Sequence, residues 1–374
     1  MKICHVITGL GAGGAEIALC RLLEALGAPR FDHVVVALGS KGALSGRVAE
    51  SAVLYHLDIG PGWAGPGDVL RLRRLLARES ADLVHAWMYH AHLLTSMALL
   101  GRSVPHLWSV HHSLTDLATD KRLTRLVIRL NAMFSARPRC VLYASQLSAS
   151  QHEDYGFCKS RTVVIPNGYD TDAFKPDPAA RARIRHELGV ADDCLLIGMV
   201  ARVHPTKDHG NFLHAASQFR NGHPDSVFVL VGNGATADNP ELTGTIDALH
   251  LRGHVRLLGQ REDIPAINAA FDIATLASRG EAFPNAVAEA MSCGVPCVAT
   301  DVGDVPTILA GTGVIVPPRD PVALSAGWAE LAAFTPRERL RLGARARERI
   351  VSYYNNDLRA RRYTQLYSSI VREH

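Results

Sequence analysis

A chain of 374 residues, 47% apolar and 20% charged, has material for two soluble domains with cores of ordinary size. Its net charge of +4 is lopsided: residues 1–175 hold 19 basic and 14 acidic residues, against 21 and 22 in the remainder, an excess too mild for nucleic acid but suited to an anionic acceptor or surface. The opening M-K-I-C-H-V lacks a leader pattern, no apolar run reaches membrane-spanning length, and the seven scattered cysteines contain no C-x-x-C; together these predict a cytoplasmic protein without structural zinc.

Residues 2–8 carry a buried-strand pattern, and Gly9-Leu10-Gly11-Ala12-Gly13-Gly14 leads into a helix over 15–26. The spacing formally fits G-x-G-x-x-G, the fingerprint of a dinucleotide site. That reading needs an acidic residue after the second strand, 33–38, to hold a ribose; Gly39-Ser40-Lys41 stands there instead. The glycines still let backbone approach a ligand closely. Strand patterns at 52–57, 83–86 and 106–110 alternate with helices at 68–79 and 90–100, which predicts a parallel sheet covered on both faces. Ligands of such sheets bind at the carboxyl ends of strands, where His111 falls, beside His112. His85 and His90 are weaker candidates, for an acceptor. Over 121–134 an amphipathic helix is expected, with Leu123, Leu126, Val127 and Leu130 on one side and Lys121, Arg122, Arg125 and Arg129 on the other. Packing on its own domain is the plain reading; contact with an anionic membrane surface is the other. Strands at 140–144 and 163–165 complete this half, and Pro176 and Pro178 mark a linker.

In the second half, strand 195–201 is followed by Arg202 and Lys207, with a helix expected from about 206. A lysine there opposes the helix dipole unless an anion docks beside it. Strands at 227–231 and 255–258 precede the most informative stretch, Ser278 to Thr300, S-R-G-E-A-F-P-N-A-V-A-E-A-M-S-C-G-V-P-C-V-A-T. An apolar run ends in a polar loop, Pro284 opens a helix, Val287, Ala290 and Met291 form its buried face, and Gly294 stops it. Glu281 precedes this helix and Glu289 shares a stripe with Asn285 one turn inside it. Free first-turn N–H groups between two carboxylates would hold a phosphate, with each carboxylate accepting from sugar hydroxyls. A first-turn acid and a solvated helix glutamate are the bland alternative. Thr335-Pro336-Arg337-Glu338 reads as a capping box, and the last helix puts Tyr363, Leu366, Tyr367 and Ile370 on one face.

The E-x7-E spacing of Glu281 and Glu289, within E-A-F-P-N-A-V-A-E-A-M-S-C-G-V-P-C-V-A-T, resembles the signature of family 4 retaining glycosyltransferases, and the resemblance extends over nearly the whole chain. It implies an α/β architecture of GT-B type: two Rossmann-like parallel-sheet domains facing a cleft, at 1–175 and 176–352, with a terminal helix at 353–374 crossing back to the first. It implies transfer of a hexose-type sugar from a nucleoside-diphosphate donor to a glycan or lipid-linked acceptor, without a metal or other cofactor, by a cytoplasmic enzyme that works at the inner membrane face in envelope polysaccharide synthesis. Arg202 and Lys207 match the pair that grips the diphosphate, and Glu289 would hold the ribose. Glu281 and the segment Phe283, Pro284, Asn285, Ala286 would hold the hexose and its phosphate. Gly13 and Gly14, in G-G-A-E, resemble a loop beside the diphosphate and acceptor, and His111 matches a histidine that contacts the donor sugar. Gly232-Asn233-Gly234 resembles a turn near the nucleoside, and Ile165-Pro166-Asn167-Gly168 the exit from the first domain. At 303–307 the chain departs from the common G-G-x-P-E, with Asp304 and Thr307 in place of Gly and Glu. Asp170-Thr171-Asp172 spells the D-x-D metal motif of the other large glycosyltransferase fold, but in a linker turn without a strand-borne partner carboxylate. Two rivals stand beside this reading: a nucleotide-sugar 2-epimerase of the same fold, and a non-catalytic subunit of a polysaccharide assembly.

Overall fold

The computed structural model describes all residues except 12, 28, 29, 61–63, 115, 116, 118–121, 282 and 374. The chain forms two compact units, residues 1–168 with 356–374, and residues 169–355.

In the first unit, strands of three to six residues alternate with helices, as the pattern predicts. The order is β1 (Lys2–Ile7), α1 (Gly14–Ala25), β2 (Asp32–Ala37), α2 (Ser45–Ala49), β3 (Val53–His56), α3 (Pro66–Glu79), β4 (Leu83–Trp87), α4 (Tyr89–Ala98), β5 (His106–Val110), α5 (Arg122–Phe134), β6 (Val141–Tyr143), α6 (Gln146–Asp154) and β7 (Thr162–Val164). The strands form one parallel sheet ordered β3-β2-β1-β4-β5-β6-β7. Its central strands are buried on both faces, which is why they read as continuous apolar runs rather than alternating ones.

The second unit repeats the plan with α7 (Pro178–Leu188), β8 (Leu196–Val200), α8 (His209–Phe219), β9 (Val227–Val231), α9 (Pro240–Ala248), β10 (Val255–Leu257), α10 (Ile264–Ala270), β11 (Ile273–Leu276), α11 (Asn285–Ser292), β12 (Cys297–Thr300), α12 (Val305–Leu309), β13 (Gly313–Val316), α13 (Pro321–Ala332) and α14 (Pro336–Tyr353). Its parallel sheet is ordered β10-β9-β8-β11-β12-β13. Strand order reverses between β1 and β4 in one sheet and between β8 and β11 in the other. At such switch points the loops leaving the carboxyl ends of the two strands diverge and open a crevice. The loops after β8 and β11 carry Arg202, Lys207 and Glu281, so topology alone brings these residues to one place.

The terminal helix α15 (Asn356–Arg372) packs in the first unit. Tyr363 and Tyr367 are fully buried there, the Tyr367 hydroxyl bonds His85 Nδ1 at 2.8 Å, and Arg359 donates to Ala18 O at 3.1 Å. The units divide after residues 168 and 355, not after 175 and 352. Tyr169 belongs with the second: its N–H donates to Tyr354 O at 2.8 Å and its hydroxyl to Asn285 Oδ1 at 2.7 Å.

Helix α5 is turned relative to the expected amphipathic face. Val127, Ile128 and Asn131 point inward, whereas Leu126 is 48% exposed and Met133 70%, beside exposed Arg122 and Arg129. Asn131 can face the core because its side chain is satisfied there: its Nδ2 donates to Tyr89 O and Val127 O at 3.1 and 2.8 Å, and its Oδ1 lies 3.0 Å from His92 Nδ1. Lys121 lies outside the described residues. Among the described residues, no helix is long and apolar enough to cross a membrane.

Candidate active site

The switch point of the second sheet holds a pocket of about 280 Å³ lined by Arg202, Lys207, Glu281, Phe283, Asn285, Ala286 and Glu289, with Val200, Val231 and Gly232 behind them. Six of the residues expected at the donor site from sequence thus converge with Glu281 in one cavity.

Two glycines shape it. Gly232 has φ +143, and a Cβ there would stand 2.3 Å from Ala201 O, so only glycine lets the turn after β9 close on the strand that delivers Arg202. Gly303 has φ +57, and a Cβ there would stand 2.7 Å from Glu281 O. The 303–307 segment therefore keeps the one glycine that Glu281 needs; Thr307 is exposed and does not line the pocket.

Glu281 is held on both sides. Lys207 Nζ lies 2.5 Å from its Oε1, and Ser278 Oγ donates to the same oxygen at 2.6 Å. Ser278 is fixed in turn, its carbonyl accepting from Thr300 Oγ1 at 2.7 Å. Beside this pair, Arg279 binds Asp208 through Nε at 2.6 Å and Nη2 at 2.8 Å, and that carboxylate raises the Arg279 pKa. Lys207 itself ends a single 3-10 turn, Pro205–Lys207; α8 begins only at His209, later than expected. The reason is Asp208, whose left-handed backbone breaks the chain between turn and helix.

The start of α11 corrects another expectation. Pro284 (φ −81, ψ 75) is the centre of an inverse γ-turn in which Asn285 N–H donates to Phe283 O at 3.0 Å. Val287 and Ala288 N–H groups donate to Pro284 O at 3.2 and 3.3 Å, so the first turn satisfies most of its own amides instead of leaving them open. Asn285 is oriented by Tyr169, which stacks on Phe283 with centroids 6.2 Å apart. Sequence reasoning missed Tyr169, Asp208, Ser278 and Arg279.

In the first unit, Gly13 caps α1 without a side-chain bond of its own; a Cβ on Gly14 would meet nothing within 4 Å, whereas one on Gly13 would stand against Glu16 Oε2, so the Glu16 carboxylate lies over the end of α1. Ala12, between the glycines, lies outside the described residues. His111 stacks on Trp87, with ring centroids 5.3 Å apart and planes 12° from parallel. Burial, with Arg359 and His92 nearby, pushes its pKa down to about 3, so the ring is neutral. Trp87 is fixed by a directional chain: its indole N–H donates to His5 Nδ1 (3.2 Å), His5 Nε2 to His33 Nδ1 (3.1 Å), and His33 Nε2 to Leu26 O (3.3 Å). His85 is fully buried, stacked on Trp87 and bonded to Tyr367, which makes it a core residue rather than an acceptor contact. His90 is half-buried.

Among the described residues no cluster of three or more His, Cys, Asp or Glu suits a metal ion. Asp170 is engaged in its own turn, its Oδ1 accepting from the Asp172 and Ala173 amides at 3.0 and 2.8 Å.

Comparison with known proteins agrees with this geometry. The family described as Glycosyltransferase Family 4 matches residues 12–173, and Glycosyl transferases group 1 matches residues 194–333. The Escherichia coli UDP-Gal:alpha-D-GlcNAc-diphosphoundecaprenol alpha-1,3-galactosyltransferase is 30% identical over 243 residues, 63% of this chain and 61% of that one. D-inositol 3-phosphate glycosyltransferase 2 of Catenulispora acidiphila is 25% identical over 344 residues, 83% of this chain and 79% of its own length. The crystal structure of Anabaena HepE in complex with UDP and glucose superimposes with a TM-score of 0.85 at 23% identity, covering 99% of this chain and all of that one. With two parallel-sheet units of GT-B type, a Glycosyltransferase Family 4 match on the first and a Glycosyl transferases group 1 match on the second, the chain is a glycosyltransferase of family 4 type.

Proposed function

We propose that the protein is a retaining, metal-independent glycosyltransferase that moves a hexose-type sugar from a nucleoside-diphosphate donor to a glycan or lipid-linked acceptor. The observation that carries this is the convergence of two cations, two carboxylates and the α11 first turn on one pocket. Arg202 and Lys207 hold the diphosphate and neutralise the charge it gains on leaving, the work a metal does elsewhere. Glu289 accepts from the ribose hydroxyls, and Glu281 with the 283–286 segment holds the hexose and its phosphate. Gly13, Gly14 and His111 are the first unit's contribution, His111 as a neutral hydrogen-bonding ring.

In the transfer, the anomeric carbon–oxygen bond to the diphosphate breaks with its electron pair going to the phosphate. The acceptor oxygen bonds the same face of that carbon and passes its proton to a phosphate oxygen. No protein base is assigned. The lipid side of the reading rests on α5, which turns Leu126 and Met133 outward among arginines, a composition that anionic bilayers attract. The diphosphoundecaprenol acceptor of the Escherichia coli relative fits such a surface.

A panel of UDP-, GDP- and ADP-sugars screened by thermal shift tests the donor, followed by product analysis with the selected donor in excess EDTA. Stabilisation by one nucleotide sugar and transfer with retained anomeric configuration are expected. Loss of activity in EDTA restored by manganese overturns metal independence, and formation of an epimer from donor alone overturns the transferase reading.

A further inference from the structure

The donor pocket is built on two loops whose charges meet in pairs. The loop after β8 carries Lys207 and Asp208; the loop after β11 carries Arg279 and Glu281. Lys207 Nζ reaches Glu281 Oε1 at 2.5 Å, while both arms of the Arg279 guanidinium grip Asp208 at 2.6 and 2.8 Å. The main chains are joined as well, Arg279 N–H donating to Thr206 O at 2.8 Å. The first of these pairs has its task in the reading above. The second does not line the pocket and has none.

Asp208 sits at φ 53, ψ 55, an unfavourable conformation for a residue with a Cβ, and its side chain is only 6% exposed. This kink separates the 205–207 turn from α8 and leaves Lys207 directed at Glu281. With Asp208 relaxed to ordinary helical angles, α8 would continue back through Lys207 and carry its ammonium away. One bond to the Asn211 amide at 3.3 Å is a weak hold on Asp208; the two-armed bond from Arg279 fixes both carboxylate oxygens.

We propose that Arg279 is a positioning residue for the diphosphate site, acting through Asp208 to hold Lys207 where the leaving group needs it. The role rests on the donor-site reading above. A merely structural Arg279 would lower stability when removed, since the buried Asp208 carboxylate would lose its partner, but it predicts near-normal ligand binding by the folded protein. A positioning one predicts that Arg279 and Lys207 act as a single unit.

Calorimetric titration of the intact protein with UDP separates these, with GDP in its place if the donor panel selects it. Lys207→Ala should weaken binding about tenfold. Arg279→Ala should cost a comparable factor, and the double variant should bind no worse than Lys207→Ala alone. Arg279→Lys keeps one of the two bonds and should fall between wild type and Arg279→Ala. Should Arg279→Ala fail to fold, Arg279→Lys and Asp208→Asn in the Lys207→Ala background provide the same cycle. Unchanged UDP affinity in the Arg279 variants, or losses that multiply in the double variant, overturn the proposal. If Lys207→Ala itself binds UDP normally, the donor-site reading fails and this role with it; if only the Arg279 variants bind normally, the positioning role alone fails.

Discussion

The two units share a fold plan and use opposite chemistry at their strand ends. In the second unit the switch point is built from full charges in close pairs, Lys207 with Glu281 and Arg279 with Asp208. In the first, it is built from stacked and buried rings. His5, His33, His85, His111 and His152 all have pKa values lowered by burial, and the bonds from Trp87 through His5 and His33 to Leu26 are consistent only with neutral rings. The contrast teaches that the same topology can deliver either a charged ligand grip or an uncharged platform, depending on what the loops after the switch-point strands carry. Under the proposed roles it also divides labour, giving the anionic part of the donor to the second unit.

The sharpest way to break that division is to compare Lys207→Ala with His111→Ala in steady-state turnover. Removing the lysine should cost about 10²-fold in kcat, the usual scale for deleting a charge stabiliser of the leaving group. Removing a neutral ring should cost clearly less, and an equal loss would end the comparison. Next in size, Glu289→Ala should weaken nucleoside diphosphate binding by about 1.5–3 kcal/mol, because ribose hydroxyls lose a charged acceptor. Calorimetry that finds unchanged affinity removes Glu289 from the ribose.

Acid should separate the units. His152, bonded to Ser148 O and Tyr89, has its pKa lowered to about 4, against about 6.5 when unfolded. At neutral pH both states are uncharged and nothing is lost. As pH falls from about 6.5 to 4, the unfolded chain takes up protons that the native ring refuses, so stability drops by about 1.4 kcal/mol per pH unit for each such histidine. Most of these histidines lie in the first unit, so hydrogen-exchange protection, corrected for intrinsic rates, should be lost at pH 5 in its peptides before those of residues 169–355. Smallest of all is the membrane term, about 1 kcal/mol per arginine near an anionic leaflet. Arg122→Glu with Arg129→Glu should reduce cosedimentation with phosphatidylserine-containing liposomes at low salt while leaving UDP binding intact. A wild-type protein that never sediments with them would make α5 an ordinary packed helix.

Much of the scaffold was legible because buried parallel strands are apolar on both faces, and runs such as Val227–Val231 announce themselves. Glu281, Glu289, Arg202 and Lys207 were legible because the E-x7-E spacing and the basic pair after a buried strand resemble the family 4 signature, although the helix after Lys207 begins later than the pattern suggests. The helix α6 was not: its buried residues are Ser148, Ala149 and His152, which carry no apolar period. The inward face of α5 was misjudged for a related reason, since Asn131 enters the core only by virtue of partners on α4 and its own helix. The Arg279–Asp208 bond joins residues 71 positions apart on separate loops, and no local rule of spacing reports it. Tyr169 follows directly on the segment read as the exit from the first domain, and no local pattern shows that it orients Asn285 in the pocket.

The short contact between Lys207 and Glu281 has one more consequence. At that distance the two charges offset each other within the pocket. Under the proposed roles, a bare phosphate would claim the lysine and strand the glutamate, while a free sugar would engage the glutamate and leave the lysine opposed to nothing better than it had. Only a molecule bringing an anion and hydroxyls together compensates both partners. Under those roles the pair would favour intact donor over the spent nucleotide and ease the product's departure after each transfer.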